Sequence, residues 1–228
     1  MFFWDWTFLI LLPGLIISVI AQYKVTGTYS KYSSRPAMCG LTGEQMARRV
    51  LQQNGIYDVT VSKTGGAMSD HYDPRKKDIR LSENVYGSSS IASIAIAAHE
   101  AGHAVQHAES YAPLTIRNTL VPVVNLFSSL AFPIFLLGLL FNKNMPVLCD
   151  IGIFLFGFAV LFQLITLPVE FNASRRAMHS IAGEGVLSND EAVGARKMLT
   201  AAAMTYVAAM LVSVLQLLRL LALRGNRR

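Results

Sequence analysis

Residues 120–141 read LVPVVNLFSSLAFPIFLLGLLF, and residues 147–167 read VLCDIGIFLFGFAVLFQLITL. Each stretch is long enough to cross the ~30 Å hydrocarbon core of a bilayer as a helix, which takes about 20 apolar residues. Only the short segment Asn142–Pro146 separates them. The sequence therefore predicts a tight hairpin of two membrane-spanning helices, and this hairpin decides the class of fold.

Two further apolar stretches lie near the chain ends, at Phe3–Ala21 and Leu199–Leu223. The chain is 53% hydrophobic and 15% charged, whereas soluble proteins carry about 25% charged residues. No basic residue precedes the first stretch, so we interpret it as a retained anchor and not as a cleaved signal peptide. We predict a mainly α-helical integral membrane protein with about four transmembrane helices in contact with the lipid bilayer.

The distribution of Lys and Arg predicts the orientation, because loops rich in these residues stay in the cytoplasm. Segment 22–119 holds eleven of them and segment 168–198 holds four, whereas the hairpin tip holds one. Both polar segments are therefore predicted to be cytoplasmic in a multi-pass protein of the cell membrane. The arginines of the C-terminus, at 219, 224, 227 and 228, depart from the rule if there are four spans. We attribute the net charge of +6 to orientation and predict no nucleic acid partner.

The segments suggest five divisions: a transmembrane anchor (1–21), a cytoplasmic α+β segment (22–119), a transmembrane hairpin (120–167), a cytoplasmic helix (168–198), and a C-terminal transmembrane helix with a basic tail (199–228). In the α+β segment, a capping box at Thr42–Gln45 begins a helix that Asn54 and Gly55 end. Strands are predicted at Tyr57–Val61 and Asp78–Leu81. The alanine-rich run Ile91–Ala108 predicts another helix.

One motif in that alanine-rich helix carries the chemistry, namely His99-Glu100-Ala101-Gly102-His103. Residues four apart lie on one face of a helix, so the two imidazoles can share one Zn²⁺. Glu100 lies beside that face and is placed to take a proton from zinc-activated water without binding the metal. In a chain of this composition the motif arises by chance roughly 0.003 times, which strongly favours the functional interpretation over two ordinary helix histidines.

A catalytic zinc needs a third protein ligand and a fourth position open to water. His107 is eight residues beyond His99, about 12 Å along a straight helix, which is too far to close one tetrahedral site. His71 and His179 are isolated in the sequence. Glu170 is the better candidate, because a carboxylate that follows a span among apolar neighbours is costly unless it is paired or bound to a metal. An ion pair with Arg175 or Arg176 is the alternative role for Glu170.

Three runs of the sequence resemble the YugP-type family of neutral zinc metallopeptidases: Ala98–His107, Asp70–Pro74 and Pro168–Arg176. That family is similar to membrane gluzincins of the HtpX and CAAX-prenyl-protease type, which pair H-E-x-x-H with a downstream E-x-x-A-D. Glu170 and Ala173 match the second motif, whereas Ser174 stands where the Asp would be. The resemblance implies a zincin-like α+β domain with one Zn²⁺ per chain. It also implies His99, His103 and Glu170 as zinc ligands and Glu100 as catalytic base.

Several further residues are candidates for supporting roles. Ser174 or Asn172 is predicted to orient a zinc-bound imidazole by a hydrogen bond. The oxyanion of the reaction needs at least one donor besides zinc, and the candidates are His71, Arg175, Arg176 and His179. An extended substrate is expected along an edge strand, for which we select Ile79, Arg80 and Leu81.

These features predict a zinc-dependent endopeptidase of the cell membrane, with its active site on the cytoplasmic side. Its substrates would be membrane proteins or peptides presented near the bilayer, and a membrane partner could regulate the site. One alternative is an intramembrane-cleaving zinc protease, although the N-x-x-P/L-D-G motif of that type is absent from the sequence. Another is a zinc-binding scaffold or adaptor without proteolytic activity. A metal transporter is disfavoured, because the apolar segments offer no pathway of midplane ligands.

Overall fold

The computed structural model of the protein describes residues 6–66, 68–141, 145 and 147–225. The chain forms two compact units. One, here called the α+β unit, comprises Gln22–Leu114 and Val169–Met204. The other, here called the apolar unit, comprises Met1–Ala21, Thr115–Pro168 and Thr205–Arg228. Most of the described chain is helical, as the sequence predicts.

The elements follow one another in a simple order. A 3-10 helix at Trp6–Ile10 precedes the helices and strands, and a π-helical turn at His179–Gly183 follows α6. The helices are α1 (Leu12–Ser33), α2 (Gly43–Gln53), α3 (Glu83–Tyr86), α4 (Ile91–Ala108), α5 (Ala112–Leu140), α6 (Val147–Met178) and α7 (Asn189–Gly225). The strands are β1 (Thr60–Thr64), β2 (His71–Asp73) and β3 (Asp78–Ser82).

Local sequence signals explain where two of these helices begin and end. The side chains of Thr42 and Gln45 each accept a hydrogen bond from the other residue's backbone N–H, which completes the predicted capping box of α2. Gly55 after α2 has a φ of +68°, the left-handed conformation that favours glycine at a helix end. The hydroxyl of Ser90 accepts from the backbone N–H of Ser93 and caps α4, which covers the predicted residues 91–108.

The strands of the α+β unit form one sheet in the order β1-β3-β2. β1 pairs with β3 in parallel, from Thr60 opposite Asp78 to Thr64 opposite Ser82. β2 pairs with β3 antiparallel, and Tyr72 lies opposite Ile79. The sequence signal missed β2, because its three residues are too few to show an alternating pattern.

The prediction that Ile79, Arg80 and Leu81 belong to an edge strand is wrong. They lie in β3, which is the central strand, and both Ile79 and Leu81 are fully buried. The backbone groups of a central strand already pair with its neighbours, so β3 cannot take up a peptide along its side. The edges of the sheet are β1 and β2.

The core of the α+β unit lies where α4 packs on α2 and on the sheet. The face of α2 toward this core is formed by Met46, Val50 and Leu51, and α4 contributes Ile94 and several alanines that are fully buried. Alanine at these positions lets neighbouring backbones approach α4 closely. α4 is therefore a buried central helix, and its C-terminal half carries the H-E-x-x-H motif.

The apolar unit is held together by close contacts between α5 and α6. A Cβ added at Gly138 would lie 2.4 Å from the backbone nitrogen of Cys149, and one added at Gly152 would lie 2.6 Å from Cβ of Phe135. Glycine at both positions lets the two backbones approach, as small residues do between helices in membranes. The predicted turn between these helices, Asn142–Pro146, lies mostly outside the described residues.

Three of the described helical segments are long and apolar enough to cross a membrane: Ala112–Leu140, Val147–Gly183 and Asn189–Gly225. They contain the predicted spans 120–141, 147–167 and 199–223 almost entirely. The predicted first span, Phe3–Ala21, begins in residues 1–5, which lie outside the described chain. Its described part forms the 3-10 helix and the first half of α1. Four spans remain a prediction.

Candidate metal centre

Three side chains from two helices meet inside the α+β unit. His99 and His103 lie one turn apart on α4, with ring centroids 4.8 Å apart. Glu170, which is only 3% exposed, reaches them from α6. Its Oε2 lies 3.3 Å from Nε2 of His99 and 3.5 Å from Nε2 of His103. The structure thus brings together the three residues that the sequence proposes as metal ligands.

A close approach between α4 and α6 makes this meeting possible. A Cβ added at Gly102 would lie 2.9 Å from the carbonyl oxygen of Ala173, so only glycine fits there without a shift of backbone. Ala173 is itself fully buried. Glu170 is three residues before Ala173 on the same helix, and Ser174 directly follows Ala173. The small residues at the crossing therefore position both of these side chains against the two histidines.

The donor set fits a zinc ion. Zinc bonds to histidine nitrogen and carboxylate oxygen are about 2.0–2.2 Å long, so neighbouring ligand atoms of a tetrahedral site are roughly 3.3–3.5 Å apart. The two measured separations from Glu170 Oε2 match this value. One ligand atom from each of His99, His103 and Glu170 lies within 4.8 Å of the others. A catalytic zinc site of this type has two imidazoles and one carboxylate as protein ligands and leaves the fourth position to water or substrate.

Each histidine makes a hydrogen bond through its other ring nitrogen. Nδ1 of His99 lies 3.2 Å from the hydroxyl of Ser174, and Nδ1 of His103 lies 3.0 Å from Oε1 of Gln106. Because the amide oxygen only accepts, Nδ1 of His103 carries the proton and donates it. In the neutral form of His103, the lone pair is then on Nε2, the atom that faces Glu170. Such partners hold the ring orientation and the tautomer of metal-bound histidines.

Gln106 is fully buried, and both its amide N–H donors and its amide oxygen form hydrogen bonds. Its Nε2 donates to the carbonyl oxygen of Val169 and to Oδ1 of Asn172, both at 2.9 Å. The same Oδ1 accepts from Nε of Arg176 at 2.8 Å, and Arg176 forms an ion pair with Glu109. A continuous chain of hydrogen bonds therefore runs from His103 to a charge pair at the surface.

The carboxylates around His103 raise its pKa. Burial lowers the pKa of this imidazole, but the hydrogen bond to Glu170 and the negative charges of Glu100 and Glu170 raise it by more. The net result is a pKa above the ordinary value for histidine. The same negative potential attracts a cation, so a metal ion and a proton compete for this position.

The predicted supporting residues fall in different places. Ser174 contacts His99 directly, whereas Asn172 reaches His103 only through Gln106. Arg176 is engaged by Asn172 and Glu109. His71 is exposed on β2 and contacts the carbonyl oxygen of Ser69. The two other predicted oxyanion donors, Arg175 and His179, are exposed and line a groove beside Ser174.

Two features of the site escaped the sequence analysis. Gln106 lies three residues after His103, a spacing that places it on the same helix face, and that spacing was the available signal. The second feature is a hydrogen bond of 2.8 Å between the hydroxyl of Tyr72 and Nδ1 of His107. Burial and the nearby Asp58 and Asp73 raise the pKa of Tyr72 to about 12, so its hydroxyl stays protonated. This bond joins β2 to α4 and has no local sequence signature.

Two histidines one turn apart with a glutamate from a second helix define a metallopeptidase-type zinc site on a small α+β scaffold. Comparison with known proteins agrees. Residues 7–225 match the family model described as "Putative neutral zinc metallopeptidase", and the chain belongs to this family. It is 49% identical over 217 residues to the "Putative membrane protease YugP" of Bacillus subtilis (strain 168), an alignment that covers 95% of this chain and 96% of that protein. No solved structure matches the chain.

Proposed function

We propose that this protein is a zinc-dependent endopeptidase that cleaves membrane proteins or membrane-associated peptides at the cytoplasmic face of the cell membrane. The observation that carries the proposal is that Glu170 of α6 meets His99 and His103 of α4. The same helix α4 also bears Glu100. Membership of a zinc metallopeptidase family supports the chemistry. The three apolar helices and the membrane-protease relative support the location.

The roles of the site residues follow from their chemistry. His99, His103 and Glu170 would hold the zinc ion, which would supply Lewis-acid chemistry: a lower pKa for a water and polarisation of the scissile carbonyl. Glu100 follows His99 in the chain and is partly exposed to solvent. Its carboxylate accepts a proton from the attacking water and passes it to the leaving nitrogen. Ser174 and Gln106 keep both imidazoles in the binding orientation.

We place the extended substrate along β2, because the structure removes β3 from consideration. β2 is an edge of the sheet, and it lies beside α4 through the bond between Tyr72 and His107. Backbone groups on the open side of an edge strand can pair with a peptide. A photo-crosslinking side chain at His71 on β2 should then capture a casein peptide. The same side chain at Lys63 on the opposite edge, β1, should capture none, and equal capture would contradict this placement.

The active site is proposed to lie outside the hydrocarbon core. α4, which carries the motif, is not among the three described helices that are long and apolar enough to span a bilayer. This supports cleavage near the membrane surface over cleavage within the bilayer.

The function is tested with the full chain purified in detergent, zinc content measured by mass spectrometry, and fluorescein-labelled casein as the probe. Wild type should bind about one zinc and cleave casein. Glu100→Gln should keep the zinc and lose at least 1,000-fold in rate, because a general base and the proton shuttle it provides are removed together. His99→Ala should lose both.

A matched control is Glu83→Gln, which makes the same change at an exposed glutamate on α3. It should retain both zinc and activity. Full activity in Glu100→Gln would contradict the proposed base. Stoichiometric zinc with no cleavage by wild type would favour the non-proteolytic scaffold.

A further inference from the structure

A groove on the surface of the α+β unit adjoins the metal centre without including its ligands. It lies between the C-terminal part of α6 and the N-terminal half of α7 and has a volume of about 550 Å³. This is within the range of small-molecule sites, roughly 300–1,000 Å³. Ser174 lies in its wall, but none of His99, His103 and Glu170 lines it. The proposed peptide hydrolysis leaves this groove without a role.

The groove is strongly basic. Arg175, His179 and Arg196 line it, and a second cavity on the other side of α7 shares Arg196 and adds Lys24 and Lys197. Among the residues that the structure describes, no Asp or Glu lines either cavity. Within the described chain, the two arginines and two lysines form no ion pair, and all four are exposed. We call the two cavities together the basic groove. Glu184 lines a neighbouring cavity together with Arg175 and His179, where its carboxylate accepts a hydrogen bond from Gln53.

The basic groove also has an apolar end. Phe171 on α6 lies one turn closer than Arg175 to the apolar stretch that ends at Leu167, and Met204 on α7 lies two turns beyond Arg196, next to the apolar stretch that follows. Both apolar side chains are substantially exposed, at 45% and 39%. A charged region and an apolar region therefore follow each other along the two helices, in the order of the headgroup and acyl chain of a lipid.

We propose that the basic groove binds an anionic phospholipid, with its phosphate beside Arg175 and Arg196 and the start of an acyl chain along Phe171 and Met204. The inference rests on the proposed membrane location. Basic pockets beside membrane helices select anionic headgroups through charge, and a zwitterionic headgroup would bring its own cation against the arginines. The lipid would anchor α7 to α6 next to Ser174, and thereby link the metal centre to membrane composition.

The helical walls of the groove favour a lipid over a peptide as occupant. An extended peptide is normally held by main-chain hydrogen bonds to a strand edge. The lining residues belong to α1, α6, α7 and the π-helical turn, whose interior backbone groups already pair within the helix. A phospholipid needs no such partners, since side-chain cations bind its phosphate and apolar side chains contact its acyl chain.

The test uses the full chain in nanodiscs made from equal amounts of phosphatidylglycerol and phosphatidylcholine, and it counts retained lipids by native mass spectrometry. Wild type should retain about one phosphatidylglycerol per chain in preference to phosphatidylcholine. Arg175→Gln/Arg196→Gln should retain at least fivefold less. The matched control, Arg49→Gln/Arg75→Gln, removes two exposed arginines elsewhere in the α+β unit and should behave as wild type.

Equal retention of the two lipids by wild type would overturn the proposal, as would equal retention by the groove and control variants. Zinc content is measured in parallel. If the double variant loses zinc, the single variant Arg196→Gln is used in its place, because it changes only α7. This single variant should still retain less phosphatidylglycerol than wild type. A groove variant that keeps the lipid but binds casein peptide more weakly would assign the groove to the substrate and also overturn the lipid proposal.

The outcome is separable from the proposed function. Glu100→Gln should retain phosphatidylglycerol as wild type does, because lipid binding needs no catalysis. Retained lipid without casein cleavage in wild type would count against the peptidase alone. Casein cleavage with no preferential retention of phosphatidylglycerol would count against the lipid site alone.

Discussion

Gln106 supports the metal centre without being one of its candidate ligands. It connects His103 to the backbone of Val169, the residue before Glu170, so one buried amide orients a ligand on α4 and anchors the segment that carries the ligand on α6. Burying an amide is costly unless all its hydrogen bonds are made. Here the oxygen and both N–H donors each form a hydrogen bond, and these three bonds hold the side chain in one orientation.

Replacing Gln106 with Leu should weaken zinc binding about 10–100-fold, the usual cost of losing the partner of a ligating histidine. The change removes the acceptor for the N–H at Nδ1 of His103. It also removes the side-chain donor to the carbonyl oxygen of Val169. The measurement is the zinc dissociation constant by competition with a chromophoric chelator. Gln106→Glu should recover much of the affinity, because its carboxylate still accepts from Nδ1.

The control for this prediction is Gln52→Leu, which makes the same change at an exposed position of α2. It should leave the zinc affinity unchanged. An unchanged affinity in Gln106→Leu would show that His103 is oriented without this side chain.

The crossing of α4 and α6 leaves no room for an added methyl group at Gly102. Gly102→Ala places a methyl group 2.9 Å from the carbonyl oxygen of Ala173, which is shorter than an ordinary contact with a backbone atom that cannot move alone. We expect the two helices to separate, with a loss of stability of about 1–3 kcal/mol. Zinc affinity should fall with it, because Glu170 and Ser174 move away from the histidines.

Thermal unfolding and zinc titration of the purified protein check both effects. The matched control is Gly27→Ala in α1, where an added Cβ meets nothing within 4 Å. It should be neutral or stabilise by up to about 1 kcal/mol, since alanine favours helix more than glycine does. A neutral Gly102→Ala would mean that the close approach does not limit the site.

The sheet contains a buried carboxylate that makes its stability depend on pH. Burial raises the pKa of Asp78, but hydrogen bonds from Ser62, Thr60 and Arg80 lower it by more, so the net pKa is below the ordinary value. A carboxyl whose pKa is lower in the folded state stabilises above its unfolded pKa of about 4. This stabilisation is lost as the pH falls through the folded pKa.

Asp78→Asn should therefore lower the unfolding temperature at pH 7, and the difference from wild type should shrink steadily below about pH 4. Unfolding followed by circular dichroism between pH 2 and pH 7 measures it. A difference that is constant over this range would show that the charge of Asp78 contributes nothing.

At the scale of the whole molecule, the long apolar hairpin α5–α6 separates the two stretches of the α+β unit in sequence. If α5 and α6 both cross a membrane, as predicted, residues 22–114 and 169–204 return to the same side, which the formation of one unit requires. The Lys and Arg counts predict that this side is the cytoplasm.

Labelling with a membrane-impermeant maleimide tests the assignment. The native Cys39, in the α+β unit, should react only after cells are permeabilised. Met145→Cys in a Cys39→Ser background, at the exposed residue between α5 and α6, should react in intact spheroplasts. Cys149 is buried and should not contribute in either case. The reverse pattern would place the α+β unit outside the cell.

Features that depend on residues close together in the chain could be predicted from the sequence. The H-E-x-x-H pair needs only the turn of one helix, the capping box of α2 needs four consecutive residues, and long apolar stretches predict helices by composition alone. Glu170 was also found, because a carboxylate beside an apolar stretch is costly without a partner.

The order of the strands and the contacts between α4 and α6 could not be predicted from the sequence and are seen in the folded chain. β3 is central because β2, just three residues long, pairs along its side, and no local pattern reports such a partner. Gln106 joins Val169 across 63 residues of chain, and Gly102 is required by the backbone of Ala173 on another helix. These contacts depend on which surfaces pack together, and packing is a property of the whole chain.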